Sequence, residues 1–218
     1  MLSKKELILF SGGIDSAVLL KWLLINTTTD FIVTYINMGV NKQMQARNKI
    51  QNERVNKLIP LFKKIRDFEF IQIDFNIYQD KEFKPYDDQT ALYLVSFLSA
   101  MHLNPSVWLG HFSYCSYHHY EWNNKIDSLF YNETLKHYLN AYNNALSIET
   151  EENLPLLKLN LPSKIYKGKE LDSFPNKKAA FDYLNQDMKK LIRSCLHPNK
   201  IICGECYKCQ QYIKFKII

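Results

Sequence analysis

Ser11-Gly12-Gly13-Ile14-Asp15-Ser16 carries the first chemistry in this 218-residue chain. Adjacent glycines permit a tight turn and let an anion approach backbone N–H groups with no Cβ in the way. Ser11 and Ser16 add hydroxyl donors, and Asp15 could hold Mg²⁺ or orient the loop. Leu7-Ile8-Leu9-Phe10 precedes the turn, and Ala17-Val18-Leu19-Leu20-Lys21-Trp22-Leu23-Leu24 follows it. A buried strand, a glycine turn and a helix in that order aim several N–H groups and the positive helix end at one point. The stretch therefore predicts a phosphate cradle, with an ordinary Gly-Gly strand-to-helix turn as the plainer alternative. No lysine closes the loop, which excludes the G-x-x-x-x-G-K-[S/T] pattern. The glycines are adjacent and no third follows, which excludes G-x-G-x-x-G.

A second set lies near the other end. Cys195, Cys203, Cys206 and Cys209 are spaced C-x7-C-x2-C-x2-C. Two overlapping C-x2-C turns put three thiolates on one knuckle, and Cys195 arrives as the fourth. Four thiolates in a tetrahedron suit a structural Zn²⁺. An iron–sulfur cluster is the rival occupant, and four unlinked thiols are the plainer alternative. Cys115 stands apart as a packed or loop thiol, and His197 is surplus to a four-ligand site.

A third, looser group follows the predicted strand 106–109. His111, Tyr114, Tyr117, His118, His119, Tyr120 and Trp122 combine aromatic faces with polar edges. That mixture suits a planar heterocycle in a cleft, and His111, Cys115, His118 and His119 could form a substrate pocket or a second metal site, against the plainer reading of histidines and aromatics on a surface loop. His111, His119, Tyr120 and Asn123 are the candidate substrate contacts.

These residues need elements to hold them. Strands are predicted at 7–10, 31–36, 68–73, 106–109 and 154–157 from short apolar runs. Helices are predicted at 17–24, at 41–63 with a bend or end near Pro60, at 90–103, at 123–146 and at 177–184. Residues 74–88 read as a long charged connection, and 162–175 as irregular. Alternating strands and helices predict an α/β fold with a doubly wound parallel sheet. Two parts are expected: an α/β nucleotide-binding domain over 1–190 and a zinc-binding tail over 191–218 packed on it.

Composition sets the class. Hydrophobic residues make up 46% and aromatics 14%, ordinary for a soluble globular domain. No secretory signal or membrane span is visible, since Lys21 interrupts the longest apolar stretch. The expectation is a cytoplasmic protein whose five cysteines serve metal binding rather than disulfides. A net charge of +6 and a pI of about 8.9 suit a nucleotide or an acidic metabolite. The basicity is scattered lysine with no dense basic run, which argues against a nucleic-acid face.

The Ser11–Ser16 stretch resembles the S-G-G-x-D-S signature of the PP-loop ATP pyrophosphatases, which cleave ATP between the α- and β-phosphates. Together with Cys195, Cys203, Cys206 and Cys209 it resembles the 7-cyano-7-deazaguanine synthase (QueC-like) family. The similarity extends over nearly the whole chain in element order, while its specific motifs occupy the two ends. Met38-Gly39, Gly110, Pro155-Leu156 and Lys178 agree more weakly. The resemblance implies an adenine nucleotide alpha-hydrolase-like (Rossmann-like) fold with a C-terminal four-cysteine zinc knuckle.

It also implies an ATP-dependent ligase that adenylates a 7-carboxy-7-deazaguanine-like acceptor and aminates it with ammonia to the nitrile preQ0. ATP, Mg²⁺ and Zn²⁺ are the expected cofactors, and a homodimer is compatible with the reading. ATP would lie against Phe10, Ser11, Gly12, Gly13, Ile14, Asp15, Ser16, Ala17, Tyr35 and Gly110, with Asp15 and Ser16 catalytic. The middle of the chain departs from the family. Asp87-Asp88-Gln89-Thr90 replaces a Gly-Arg-Asn stretch, and residues 118–124 replace Tyr-Pro-Asp-Cys-Arg, so two cleft arginines are missing. A PP-loop tRNA-thiolating enzyme and a non-catalytic ATP/AMP-binding regulator are the competing readings.

Overall fold

The computed structural model describes residues 5–38, 42–75, 106–110, 158–160, 162, 165–166, 168–171, 173–192, 195, 197 and 202–217. The predicted helices at 90–103 and 123–146, the strand at 154–157 and most of the 74–88 connection lie outside these. So do His111, Tyr114, Cys115, Tyr117, His118, His119, Tyr120, Trp122 and Asn123.

Five parallel strands form the centre. They are β1 (Glu6–Leu9), β2 (Phe31–Met38), β3 (Glu69–Phe75), β4 (Ser106–Trp108) and β5 (Lys158–Asn160), in the order β3-β2-β1-β4-β5. Successive residues of a strand point to opposite faces. Leu7 and Ile8 are both fully buried, as are Ile32 and Val33 nearly so, so the sheet is buried on both faces. That explains why its strands read as apolar runs and not as alternating patterns.

Helix α1 (Ile14–Asn26) connects β1 to β2, and α2 (Lys42–Lys63) connects β2 to β3. Ten of the 13 residues of α1 are buried, the signature of a central helix with no solvent face. It starts three residues earlier than the apolar run suggested, because Gly13 is extended (φ −85°, ψ 171°) and Ile14 already takes helical geometry. Helix α2 runs through Pro60 to Lys63. A proline there removes one N–H close to the helix end, where few ladder bonds remain to be lost.

After β5, the region expected to be irregular forms a small antiparallel pair, β6 (Ile165–Tyr166) and β7 (Lys169–Glu170), turning at Gly168 with φ +77°. Helix α3 (Lys177–Asp182) is capped by Asn176, whose side chain accepts from the Ala179 N–H at 3.0 Å. A further helix, α4 (Gln186–Leu191), had no sequence prediction. Helix α5 (Tyr207–Lys214) follows the cysteines.

Three cations clasp these pieces. Lys21, in α1, is buried and donates to the Tyr183 carbonyl at 2.5 Å and to Asn185 Oδ1 at 2.8 Å, tying α1 to the α3–α4 link. Burial pushes its pKa down. Arg54, in α2, donates to the Lys190 and Leu191 carbonyls at 3.1 and 3.0 Å, the C-terminal end of α4. Arg66 donates to the carbonyls of Thr27 and Thr29 beyond α1. One apolar cluster runs from Ile8 and Phe10 through α1 and α2 to Met188, Ile192 and Tyr212. No helix among the described residues is long and apolar enough to cross a membrane.

Candidate phosphate cradle and cysteine cluster

Strand order reverses at β1. The chain moves outward through β2 and β3, then returns to place β4 and β5 on the other side. In open parallel sheets the crevice beyond the carboxyl ends at such a reversal is where ligands bind. Residues 11–16 occupy that position, at the end of β1, and Gly110 follows the end of β4.

The two come into direct contact. A Cβ on Gly110 would lie 2.8 Å from the Asp15 carbonyl carbon and 2.8 Å from the Ser16 nitrogen. Those are backbone atoms, so only glycine fits without moving the first turn of α1. Gly12 has φ +73°, and a Cβ there would meet Gln51 Nε2 at 2.4 Å and Val55 Cγ2 at 2.9 Å. The loop is thus enclosed by β4 on one side and α2 on the other.

Ser16 organises its interior. It is 5% exposed. Its Oγ donates to the Gly13 carbonyl at 3.2 Å and accepts from the Ser11 N–H at 3.2 Å, with the Ser11 hydroxyl 3.1 Å away. The Ser16 hydroxyl therefore shapes the turn. The helical ladder opens with the Ala17 N–H on the Gly13 carbonyl at 3.1 Å. That leaves first-turn N–H groups such as those of Ile14 and Ser16 without an intrahelical partner, a feature suited to an anion.

Lys177, the first residue of α3, brings a cation to this rim. It is 6% exposed, and its Nζ lies 3.2 Å from Asp15 Oδ2. Lys178, the lysine singled out from the sequence, is instead exposed and pairs with Asp182 along α3. The signal that separates them is helical spacing from the Asn176 cap. Lys177 shares a face with Ala180 and Leu184, both buried.

Phe10, Ile14 and Ala17 are buried beneath the loop and support it from the core. Tyr35 is also a core side chain, 3% exposed. Pairing of β1 with β2 ends at Leu9↔Thr34, with the Phe10 N–H on the Thr34 carbonyl at 2.9 Å. Strand alternation then turns the N–H and C=O of Ile36 toward the β1 side, beyond the end of β1, while those of Tyr35 face β3. The open edge beside the loop is therefore the backbone of Ile36.

No protein-family model matches this chain, and no curated protein matches it.

At the other end, Cys195, Cys203, Cys206 and Cys209 have sulfurs all within 4.8 Å of one another, a set that could hold a metal ion. Cys195 and Cys209 are buried, and Cys203 and Cys206 are half-buried. Gly204 has φ +78°, so the chain turns back under Cys203. The Cys206 and Glu205 N–H groups then donate to Cys203 Sγ at 3.2 and 3.4 Å. Those donors, the Cys206 N–H foremost, pull the Cys203 thiol down to about 6. Burial pushes Cys195 up and Cys209 up to about 12. The His197 N–H donates to Cys195 Sγ at 3.4 Å, so that residue enters the site by its backbone.

Proposed function

We propose that this chain is an ATP-dependent carbon–nitrogen ligase of the 7-cyano-7-deazaguanine synthase type, with a PP-loop cradle and a structural zinc site. The observation that carries the proposal is the Ser11–Ser16 loop at the sheet reversal, pressed by Gly110 and faced by the buried Lys177 ammonium. Unpaired N–H groups, a helix N-terminus and one cation on a glycine turn are what a pyrophosphate requires.

In this reading the triphosphate lies on the loop, and the adenine edge meets the open N–H and C=O of Ile36. An acceptor carboxylate oxygen attacks the α-phosphorus, pyrophosphate leaves and an acyl-adenylate forms. Ammonia displaces AMP to give the amide. A second ATP adenylates the amide oxygen with loss of pyrophosphate, and departure of AMP with that oxygen and of the two N–H protons leaves the nitrile. The chain contributes electrostatic preorganisation: backbone N–H groups and Lys177 meet the charge growing on the leaving pyrophosphate. Asp15 anchors Lys177 at that place.

Mg²⁺, when bound, would supply positive charge against the phosphates and the departing pyrophosphate. Asp15, the carboxylate of the loop, would be the residue to hold it, in competition with the Lys177 ammonium it already pairs with. The cysteine set fits zinc by donor type, number and clustering, and the N–H donors on Cys203 stabilise a thiolate. Zn²⁺ there would supply folding free energy and no chemistry to the reaction.

The test is release of AMP and pyrophosphate from ATP with 7-carboxy-7-deazaguanine and ammonia, alongside metal analysis. Turnover to the nitrile with zinc bound is expected. Iron in place of zinc would favour the tRNA-thiolating reading. Nucleotide binding without turnover on any acceptor would favour a regulator.

A further inference from the structure

Gln51 lies outside every motif, yet it touches the loop at its most constrained point. Its Nε2 donates to the Ser11 carbonyl at 2.7 Å and stands 2.4 Å from where a Cβ of Gly12 would be. The Ser11 carbonyl and the Gly12 N–H belong to one planar trans peptide, so they point in opposite directions. Holding the carbonyl toward α2 therefore turns the Gly12 N–H away from α2.

Gly12 has φ +73°, a conformation glycine enters and leaves readily, so the loop alone does not hold this peptide. Nothing else described bonds the Ser11 carbonyl. Gln51 can do so because Val55, one turn further along α2, is fully buried against the same glycine and fixes the helix there. Arg54 adds a second anchor for α2 through its two bonds to the end of α4.

We propose that Gln51 is a positioning residue for the phosphate cradle: it locks the Ser11–Gly12 peptide so that the Gly12 N–H serves as a pyrophosphate donor. This role rests on the cradle reading above. It acts through the loop backbone, and the nucleotide base and sugar do not take part.

The probe is inorganic pyrophosphate, titrated calorimetrically into the full chain as wild type, Gln51→Ala and Gln51→Glu, with adenosine titrated in parallel. Loss of one backbone-orienting hydrogen bond should weaken pyrophosphate about five- to tenfold in Gln51→Ala. Gln51→Glu keeps the packing over Gly12, replaces the donor with an acceptor facing the Ser11 carbonyl, and should weaken pyrophosphate further. Adenosine affinity should be unchanged in both. In protein carrying ¹⁵N-glycine, the Gly12 amide resonance should move in both variants while those of Gly168 and Gly204 stay in place.

A wild type that binds neither pyrophosphate nor ATP overturns the cradle and this role together. A wild type that binds pyrophosphate, with variants that bind it equally well, overturns the role of Gln51 alone. So does an unmoved Gly12 resonance, or an equal loss of pyrophosphate and adenosine, which would mark a general packing defect.

Discussion

The candidate cradle and the cysteine cluster are each built around a glycine with positive φ, Gly12 at +73° and Gly204 at +78°. Their surroundings differ. Around Gly12, Gln51 and Val55 close in from α2, and further along the same loop Gly110 presses on the Asp15 and Ser16 backbone while Lys177 reaches Asp15 from α3. Around Gly204 a Cβ would meet nothing within 4 Å. The cradle offers backbone N–H groups whose direction depends on distant segments. The knuckle offers thiols that three closely spaced cysteines bring together, with Cys195 supplied from nearby. One site is made by tertiary contacts and the other mostly by local spacing, so they should fail differently when cut.

The largest effect is expected at the cysteines. Structural zinc supplies about 10–16 kcal/mol of apparent folding free energy in zinc-finger peptides, so if zinc is bound as proposed, Cys206→Ser should forfeit a large part of it. Metal content should fall well below one zinc per chain, and the melting temperature should drop by about 10 °C or more. Nucleotide affinity of the protein that remains folded should stay near wild type. Full zinc content in the variant would remove Cys206 from the ligand set.

Next comes Asp15. Asp15→Ala leaves the Lys177 ammonium buried without this partner, a change that costs about 3–5 kcal/mol for fully buried pairs. Asp15 is 26% exposed. Solvent screening should bring the cost down to about 1–3 kcal/mol. ATP turnover should vanish. The double variant Asp15→Ala/Lys177→Met should recover stability in denaturant melts and still not turn over. Additive losses in that cycle would deny the coupling.

Two glycine substitutions sharpen the comparison directly. Gly110→Ala forces a Cβ against the Asp15 and Ser16 backbone and should cost about 1–3 kcal/mol as overpacking. It should also weaken ATP, because the first turn of α1 must shift. Gly204→Ala meets no atoms and should cost only the strain of its positive φ, about 1–2 kcal/mol. Equal costs, with ATP binding intact in both, would show that the cradle is no more enclosed than the knuckle.

The smallest effect is a pH slope from Lys21. Burial lowers its folded pKa below the ordinary 10.5, so the unfolded chain holds this proton to higher pH. Stability should then rise slightly as pH climbs through the folded pKa toward 10.5. Melts of wild type and Lys21→Met across that window check the sign. The variant should lose the slope and be less stable throughout, since the Tyr183 carbonyl and Asn185 lose their donor.

The strand–turn–helix at 7–24, the parallel α/β arrangement of strands β1 to β4 and the clustering of four cysteines were legible in the sequence. These follow from local rules: apolar runs make buried strands, glycines permit the turn, and C-x2-C spacing places sulfurs together. Strand β5, by contrast, lies just beyond the run at 154–157 that reads as a strand. Helix α4 escaped because Gln186–Leu191 shows no apolar periodicity, Met188 being its one buried residue, whereas α3, equally short, carries Ala179-Ala180-Phe181 behind an Asn176 cap. The pair β6–β7 escaped because its strands have two residues each, too few for a pattern to show. Packing between distant segments settles that Lys177 and not Lys178 meets Asp15, that Gly110 seals the loop, that Gln51 holds its first peptide and that Ile36 is the open edge. Each is a contact between segments tens of residues or more apart, or a matter of where one strand outruns another. Such choices are made by how the helices cross the sheet, and no residue's type or near neighbours encode them.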